Sequence, residues 1–593
     1  MCGIFGYIHH SKLDHGPIFE ELRRRGPDGS GEFTHPFTYH GESKNLTFLH
    51  ARLSILDLSD AGSQPMSSEC GRYTLCYNGE IYNFLEIRSE LEKKGHKFVS
   101  NSDTEVLLRG YIEHKDQILK KLQGIFDFAI FDKKENELFI ARDQLGVKPL
   151  YYTNSNESFS FSSELAPLVK SKLLSPLKLR DQSVWDFLTL GNVPAPHTIF
   201  EEIKVLPPGH KALITNAGLK IQKYWNLCDV APLKEKIDYR EATDTVNTKF
   251  TQILERQMRS DVPISAFLSG GIDSGLLVGL MGQISGKKIN TFSIGFGSEG
   301  EDLNEWALAK LVAGRFNTNH TEVSISQDDF KNCLDDYIDS MDQPTADGLN
   351  SYFISRSVQK KYKVAFSGLG ADEVFGGYPL FKIAYKNASS PIKAPFLPLR
   401  VMRKLGFEHM AFDPNKLEKY RFINREIFNL SKSKCEYRWN DELDAYQNIS
   451  AFETNHYLPN MLLRDADAIS MHHSLEVRVP YIDPELFEYV YSLPQDLKHA
   501  NHINKKLLID SFPGVLPDEI TKAPKRGFEM PVGNWIAKVL SAELSTLHEK
   551  LSDLALPEGL VQAMVKRFYS NPRDYRGVWS LLVLTMWRER QKL

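Results

Sequence analysis

A cysteine occupies the second position of the chain, directly after Met1. If Met1 is removed, Cys2 carries both a thiol and a free α-amino group. An α-amino group has a pKa of roughly 8, so it can act as the base that activates the adjacent thiol. Cys2 is therefore a candidate N-terminal nucleophile, although a cysteine can also stand at this position by chance.

Three further segments could complete a site around Cys2. Asn78 and Gly79, in YNGEIYN, are predicted to form a turn after a strand, where a side-chain amide and a backbone N–H could make an oxyanion hole. Arg52, in HARLSI, could bind a substrate carboxylate through two hydrogen bonds. Asp103, in SDTEV, lies at a predicted helix start, where its alternative role is an N-cap. Taken singly, Asn78 and Gly79 could form a hairpin turn, Arg52 could be a solvated charge and Asp103 could be an N-cap. The occurrence of all these residues in one chain favours a site.

A glycine-rich loop, FLSGGIDSG, lies in the second half between a predicted strand and a predicted helix. Its glycines let the backbone approach an anion, Ser269 and Ser274 add hydroxyls, and the helix N-terminus favours negative charge. The lysine of the GxxxxGK[ST] nucleotide loop is absent. Asp273 would repel phosphate unless a Mg²⁺ ion bridges the two. The loop therefore predicts a metal-assisted pyrophosphate site, although an isolated SGG is commonly a plain strand–helix turn.

A second glycine-rich loop, SGLGADEVFGGY, follows the predicted strand KVAF. Loops at the carboxyl ends of neighbouring parallel strands open into one crevice. Asp372 could therefore supply a second carboxylate for the metal ion that Asp273 binds.

The elements that must position these residues differ between the two halves. The first ~225 residues contain short strands rich in aromatic and β-branched residues, with helical stretches between them, which predicts an α+β half with antiparallel sheets. A connection is predicted at about 223–240. Strands and helices then alternate, which predicts a parallel sheet with helices on its faces, and the chain from about Phe381 onward is predicted to be mainly helical.

Composition limits the class of protein. The 593 residues allow roughly four domain-sized units. The 76 acidic and 72 basic residues give a net charge of −4, which offers no footprint for nucleic acid or an anionic membrane. Six cysteines without a CxxC pair are too sparse for a disulfide scaffold, so we expect a reducing cytoplasm. MCGIFGYIHH does not have the pattern of a signal peptide, and no apolar run of ~20 residues predicts a membrane span.

Seven blocks of the first half resemble, in order, the class II glutamine amidotransferase domain: MCGIFGY, RRRGPDGSG, HARLSILD, YNGEIYNF, SDTEVLL, GIFDFAIFD and ARDQLGVKPLYY. The resemblance covers about residues 2–220 and implies an αββα N-terminal-nucleophile hydrolase fold that converts glutamine to glutamate and ammonia. It implies that Cys2 is the nucleophile and that Asn78 and Gly79 form the oxyanion hole. The glutamine-binding residues that it implies are Arg52, Leu53, Ser54, Ile55, Leu56, Asn78, Gly79, Glu80 and Asp103.

The second half resembles the PP-loop ATP pyrophosphatase domain of the asparagine synthetase family. Both glycine-rich loops carry this resemblance, together with LLRDADAISMHHSLEVRVPYID and KRGFEMPVGNW, so it covers about residues 240–540. It implies a doubly wound parallel sheet of HUP-like type with an appended helical region. It also implies that Asp273 and Asp372 bind Mg²⁺ and that Lys505 stabilises charge on the α-phosphate, with Lys506 as the alternative if the alignment slips by one. The implied ATP contacts are Ser269, Gly270, Gly271, Asp273 and Ser274 for the pyrophosphate, and Phe267, Ile294, Ser367 and Gly368 for the nucleoside.

The two resemblances together imply glutamine- and ATP-dependent amidation of a carboxylate. The acceptor would attack the α-phosphate of ATP, pyrophosphate would leave, and ammonia arriving internally from Cys2 would convert the acyl-adenylate to an amide and AMP. We expect domains at 1–225 and 226–593. The expected partners are glutamine, ATP and a carboxylate acceptor, with no nucleic acid and no membrane, and a homodimer is left open.

Two residues depart from the asparagine-forming pattern of that family. Leu369 stands in SGLG where those members usually have SGEG, and leucine can neither accept a proton nor hold an ammonium group. Ala468, in DADAISM, replaces a basic residue. Aspartate is the first expectation for the acceptor, and another carboxylate, such as a sugar uronic acid in surface-polysaccharide synthesis, is the alternative.

Two further interpretations fit the sequence less well. A binding or regulatory module with an inactive ligase half is opposed by the intact SGGIDS, Asp372 and Lys505. A β-lactam-forming relative is disfavoured because such an enzyme needs no glutaminase, whereas Cys2 and its supporting blocks are retained.

Overall fold

A computed structural model describes residues 1–233, 237–296, 300, 303–388, 439–498, 505–523, 529–554 and 556–592. Cys435 and the beginning of the KRGFEMPVGNW block, residues 525–528, lie outside the described residues. Within these ranges, no helix is both long enough and apolar enough to cross a membrane.

The first half is built on two six-stranded sheets whose paired strands are all antiparallel. Side chains of both sheets share one apolar core, while each outer face packs against helices, which gives the αββα arrangement that the resemblance implied. The strand at 124–132 is buried at every residue because one of its faces meets the other sheet and its opposite face meets helices.

The second half is built on a five-stranded parallel sheet whose strands lie in the order β15 (Asn319–Ile325), β14 (Asn290–Phe296), β13 (Ile264–Phe267), β16 (Val364–Phe366) and β17 (Glu476–Arg478). Val364 and Phe366 pack into one apolar layer, and Ala365 between them packs into the other. Both faces of the sheet are therefore covered by helices, as the alternating pattern predicted. The predicted connection at 223–240 lies between β12, which ends at Lys223, and α6, which begins at Tyr239.

The described chain beyond Phe381 is helical, as predicted, except for one short strand, Glu476–Arg478, that the sequence did not predict. The strands are β1 (Gly3–His9), β2 (Gly29–Tyr39), β3 (Glu42–Arg52), β4 (Met66–Ser67), β5 (Tyr73–Ile81), β6 (Gly124–Asp132), β7 (Glu137–Arg142), β8 (Tyr151–Asn154), β9 (Phe159–Ser162), β10 (Lys204–Val205), β11 (His210–Thr215), β12 (Gly218–Lys223), β13 (Ile264–Phe267), β14 (Asn290–Phe296), β15 (Asn319–Ile325), β16 (Val364–Phe366) and β17 (Glu476–Arg478).

The helices are numbered in chain order through both halves. They are α1 (His15–Arg25), α2 (Phe84–Lys93), α3 (Asp103–His114), α4 (Leu165–Lys170), α5 (Asp181–Leu190), α6 (Tyr239–Gln257), α7 (Ile272–Ser285), α8 (Trp306–Arg315), α9 (Gln327–Ser340), α10 (Leu349–Val358), α11 (Ala371–Phe375), α12 (Pro379–Ala388), α13 (Ala445–Asn455), α14 (Leu463–His472), α15 (Pro484–Ser492), α16 (Gln495–Lys498), α17 (Lys506–Ser511), α18 (Asp518–Thr521), α19 (Val532–Val539), α20 (Ser541–Lys550), α21 (Leu560–Ser570) and α22 (Arg576–Gln591).

Candidate active sites

The first candidate site is centred on Cys2, immediately before β1. The backbone N–H of Cys2 donates a hydrogen bond to Asn78 Oδ1 at 3.0 Å, and Asn78 Nδ2 donates to Asp127 Oδ2 at 2.5 Å. Asn78 and Asp127 face each other on β5 and β6 and are fully buried. The neighbouring strands therefore hold the Asn78 amide in one orientation beside Cys2.

The predicted turn at Asn78 and Gly79 is wrong, because both residues lie within strand β5. Gly79 has a φ of +152°, and a Cβ atom there would lie 2.1 Å from the carbonyl oxygen of Ile125 on β6. The glycine is needed for the close approach of β6 and for its positive φ, not for a change of chain direction.

The environment of the Cys2 thiol opposes its ionisation. Burial raises the pKa of Cys2, while the N-terminal ammonium group, the Leu53 backbone and Arg52 act in the lowering direction. Burial outweighs them, so the pKa stays above its usual value and a nearby base is needed to produce the thiolate.

Arg52 ends β3 and is held by its own loop. Its guanidinium donates to the carbonyl oxygens of Ser59 at 2.8 Å and Asp57 at 2.5 Å. The following residues, 53–56, continue past Cys2, and Leu53 is the member whose backbone contacts the thiol. The loop therefore brings the implied carboxylate-binding segment to Cys2.

Asp103 is the first residue of α3, but it is not the N-cap. Ser102 caps the helix by accepting a hydrogen bond from the Glu105 backbone N–H. Asp103 Oδ2 instead accepts hydrogen bonds from the Tyr77 hydroxyl at 2.8 Å and the Ile81 N–H at 2.9 Å, both from β5. The alternative reading of Asp103 as a cap is therefore wrong, and its carboxylate contacts the same strand that carries Asn78.

Residues of the second half reach this site, which sequence reasoning missed. Arg478 Nη2 lies 3.4 Å from Glu80 Oε1, and the Met1 ammonium lies 3.2 Å from Glu476 Oε2. Arg25 Nε donates to the Cys2 carbonyl at 2.9 Å, and Arg25 Nη2 pairs with Asp467 of α14 at 2.8 Å. The residues from the second half lie in the LLRDADAISMHHSLEVRVPYID block, so the resemblance marked the segment but not its contacts.

The second candidate site begins where β13 ends at Phe267. The loop that follows leads into α7, and Ser269 Oγ lies 3.0 Å from Ser274 Oγ across it. Gly270 has a φ of +80°, and a Cβ atom there would lie 2.6 Å from the Ala309 backbone nitrogen. The loop is therefore tightly folded against α8 and presents its hydroxyls together.

The second glycine-rich loop follows β16 and packs against the first. A Cβ atom added at Gly368 would lie 3.0 Å from the Cβ of Asp273, so the two loops meet there. Lys505 Nζ donates to both Asp273 carboxylate oxygens at 2.6 Å and pairs with Asp372 at 2.5 Å. Lys506 pairs with Asp510 instead. Of the two candidate lysines, Lys505 is the one that the fold brings to both loops.

The charge of Lys505 is stabilised by its two carboxylate neighbours, Asp273 and Asp372. Burial acts to lower the pKa of Lys505, but Asp273 and Asp372 outweigh it and raise that pKa above its usual value. Lys505 therefore stays an ammonium group and holds the two carboxylates close together.

A cavity of about 340 Å³ lies between the loops. All four implied nucleoside residues line it, as do Ser269, Asp273, Ser274 and Asp372, while Gly270 and Gly271 belong to the same first loop without lining the cavity. Of the two residues that depart from the asparagine-forming pattern, Leu369 lines the cavity. Ala468 is buried on α14 and does not line it, although Ala466 on the same helix does. Lining residues that sequence reasoning missed include Glu305, Asn350, Ser351, Ser355 and Tyr378.

Comparison with known proteins agrees with this arrangement of two sites. The family model described as asparagine synthase matches residues 245–589, and the glutamine amidotransferase domain matches residues 1–225. Two proteins of Bacillus subtilis (strain 168) are similar: Asparagine synthetase [glutamine-hydrolyzing] 1 is 30% identical, covering 99% of this chain and 96% of the relative, and Asparagine synthetase [glutamine-hydrolyzing] 3 is 33% identical, covering 93% and 92%. Amidase chry2 of Gibberella zeae is 26% identical, covering 93% of this chain and 91% of the relative. The chain therefore belongs to the asparagine synthase family of glutamine-dependent carbon–nitrogen ligases.

Proposed function

We propose that this chain amidates a small carboxylic acid, with ammonia from glutamine and with ATP as the activating substrate. The observation that carries the proposal is the convergence of Asp273, Asp372 and Lys505 on the cavity between the two glycine-rich loops. A buried cation between two carboxylates is suited to a site that must balance the changing charge of a phosphate group.

In the first site, Cys2 would attack the side-chain amide of glutamine. Once Met1 is removed, the nitrogen that donates to Asn78 becomes the α-amino group, and it can take the thiol proton. The Asn78 amide and the Gly79 backbone would stabilise the oxyanion. Arg52 would bind the glutamine carboxylate, and the residues expected to bind the rest of the substrate are Leu53, Ser54, Ile55, Leu56, Glu80 and Asp103.

In the second site, the loop after β13 would hold the ATP pyrophosphate. Ser269, Gly270, Gly271 and Ser274 would supply hydroxyls and backbone N–H groups, and Lys505 would stabilise charge on the α-phosphate. The adenosine would contact the residues implied for it, Phe267, Ile294, Ser367 and Gly368, all of which line the cavity.

The donor set fits Mg²⁺. Asp273 and Asp372 present carboxylate oxygens to one point, the position of Lys505 Nζ, and hard oxygen ligands are those that Mg²⁺ prefers. When bound, the ion would neutralise charge on the leaving pyrophosphate. Asp273 and Asp372 would hold the ion, and the charge of Lys505 would be available to the α-phosphate.

The acceptor is the finer part of the proposal. Aspartate is the first candidate because the relatives are named asparagine synthetases. A different carboxylate, such as a sugar uronic acid, is the second candidate because Leu369 lines the cavity and offers no charge for an acceptor's ammonium group.

Acceptor-dependent AMP formation tests the proposal. The purified chain is incubated with ATP, Mg²⁺ and glutamine, and L-aspartate and then uronate sugars are added in turn. If no acceptor releases AMP and pyrophosphate, the proposed function is wrong. The acceptor that supports AMP formation separates the two candidates, and the variant Leu369→Glu tests whether residue 369 contacts it, since added negative charge there should favour aspartate over a uronate.

A further inference from the structure

We propose that Arg478, a residue of the second half, is a positioning residue for Glu80 in the glutamine site of the first half. This inference rests on the proposed function, in which Glu80 binds the amino end of glutamine. It assigns to the second half a part in glutamine binding, in addition to its own ATP-dependent reaction.

The guanidinium of Arg478 is fixed almost entirely by its own half. Nε donates to Glu476 Oε1 at 2.6 Å, and Nη1 donates to the backbone carbonyls of Gln257 and, at 2.8 Å, Arg259. The side chain is fully buried. Arg478 therefore cannot turn without breaking these hydrogen bonds, and its orientation is set before glutamine arrives.

The remaining edge of the guanidinium faces the first half. Nη2 lies 3.4 Å from Glu80 Oε1 and has no hydrogen-bond partner among the residues that the structure describes. Glu80 is only 5% exposed, so little water can replace this cation. The contact is thus a buried charge pair between the halves, and its loss would leave an unpaired carboxylate.

Arg478 favours the ionised form of Glu80. The pKa of Glu80 lies well above its usual value because burial, Glu476 and Asp103 raise it, whereas Arg478 and the N-terminal ammonium act in the lowering direction. Only the ionised carboxylate can pair with the ammonium group of glutamine. The charged and titratable groups that face Glu80 are Asp103, Glu476, Arg478, the N-terminal ammonium, Tyr77 and Tyr82.

Strand β17 connects this contact to the second site. The Arg478 carbonyl accepts a hydrogen bond at 2.9 Å from the N–H of Ser367, in the second glycine-rich loop. Its neighbour Val477 lines the cavity, so adjacent residues of one strand face the two sites. Strand β17 therefore links the second glycine-rich loop directly to the residue that contacts Glu80.

The test compares Arg478→Gln and Arg478→Lys with the unchanged protein. In Arg478→Gln we expect the KM for glutamine to rise about ten-fold or more, while amidation with added ammonium salts is retained. The acid limb of kcat/KM for glutamine hydrolysis should move to higher pH, because loss of the cation raises the pKa at which Glu80 becomes ionised. Arg478→Lys, which keeps the charge, should recover part of both effects. The matched control is Arg588→Gln, since Arg588 is also a buried arginine of the second half and pairs with Asp553 instead of Glu80.

A double variant makes the test specific to Glu80. If Arg478 acts through Glu80, Arg478→Gln should add little to the KM increase of Glu80→Gln, because the pair is already broken. Three results would each overturn the inference. The KM increases of the two single variants could multiply in the double variant, the pH profile of Arg478→Gln could stay unmoved, or Arg478→Gln could lose ammonia-dependent amidation as much as glutamine-dependent amidation. Failure of the proposed function is distinguishable, because the unchanged protein would then form no amide from either glutamine or ammonia.

Discussion

The two sites of this chain are built in different ways. The proposed glutamine site lies within strands, where Asn78 is hydrogen-bonded on one side to Cys2 and on the other to Asp127. The proposed synthetase site lies on two loops around a cavity, where the main polar contacts join Lys505 to Asp273 and Asp372. The first site is held by hydrogen bonds to strands, whereas the second contains a buried cation between two carboxylates, a charge arrangement that the proposed substrates would have to change.

The largest expected effect separates the two sites completely. Cys2→Ala should lower glutamine hydrolysis by about 10⁴-fold or more, because the nucleophile is lost, while amidation with ammonium salts continues. Parallel assays of glutamate and AMP formation check this. If ammonium salts fail to restore amidation in a folded variant, the sites do not work independently and the comparison fails.

A second change should do the reverse. Lys505→Ala should lower pyrophosphate release by about 10²–10³-fold, because an electrostatic contact to the α-phosphate is removed, and should leave glutamine hydrolysis measurable. Lys506→Ala is the matched control, with an effect of about two-fold at most, because its partner is Asp510 on the same helix. A larger loss in the control would indicate that Lys506 is the catalytic lysine.

Removing the residue that supports Asn78 should slow glutamine hydrolysis less than removing the nucleophile does. Asp127→Ala removes the partner that orients Asn78 Nδ2, and about a ten-fold fall in kcat for glutamine hydrolysis is expected, with little change in KM. Ammonia-dependent amidation provides the internal control. A rise in KM alone would show that Asp127 supports substrate binding and not the oxyanion hole.

The last effect is on the stability of the surface between the halves, where Asp483 shares a small pocket with Tyr82 and Ile125 of the first half. Burial raises the pKa of Asp483 to about 6, so the folded protein keeps a proton that the unfolded chain loses near pH 4, and stability falls as pH rises from about 4 to 6. Asp483→Asn removes this loss and can still cap α15, where Asp483 accepts from the Glu485 N–H at 3.0 Å. The variant should gain at most about 3 kcal/mol near pH 7 and little near pH 4. Melting temperatures at the two pH values test this; an equal gain at both would exclude a titration effect.

The sequence predicted much of the fold and of both sites because their signals are local. Alternating strands and helices identified the parallel sheet, and glycine-rich loops after β13 and β16 identified the cavity. The error at Gly79 is also local in origin, since a glycine required for close strand packing gives the same signal as a glycine required for a turn.

Contacts between distant segments could not be predicted in the same way. Strand β17 has three residues, too few for a recognisable period, and the pairing of Arg478 with Glu80 depends on how the halves pack. The choice between Lys505 and Lys506 depended on backbone direction: Lys505 has a φ of +54° just before α17, which turns it toward the loops and leaves Lys506 on the helix.

The ion pairs of Asp467 constrain how the two halves of this chain can evolve. It pairs with Arg25 at 2.8 Å and Lys148 at 2.5 Å, all three side chains are buried, and the two cations belong to the first half. A second half without an acid at position 467 would leave two buried cations without their shared counter-charge, one of them beside the Cys2 carbonyl, a situation that costs several kcal/mol. Exchanging one half for that of a distant relative would therefore be penalised unless residues 25, 148 and 467 were inherited as a set.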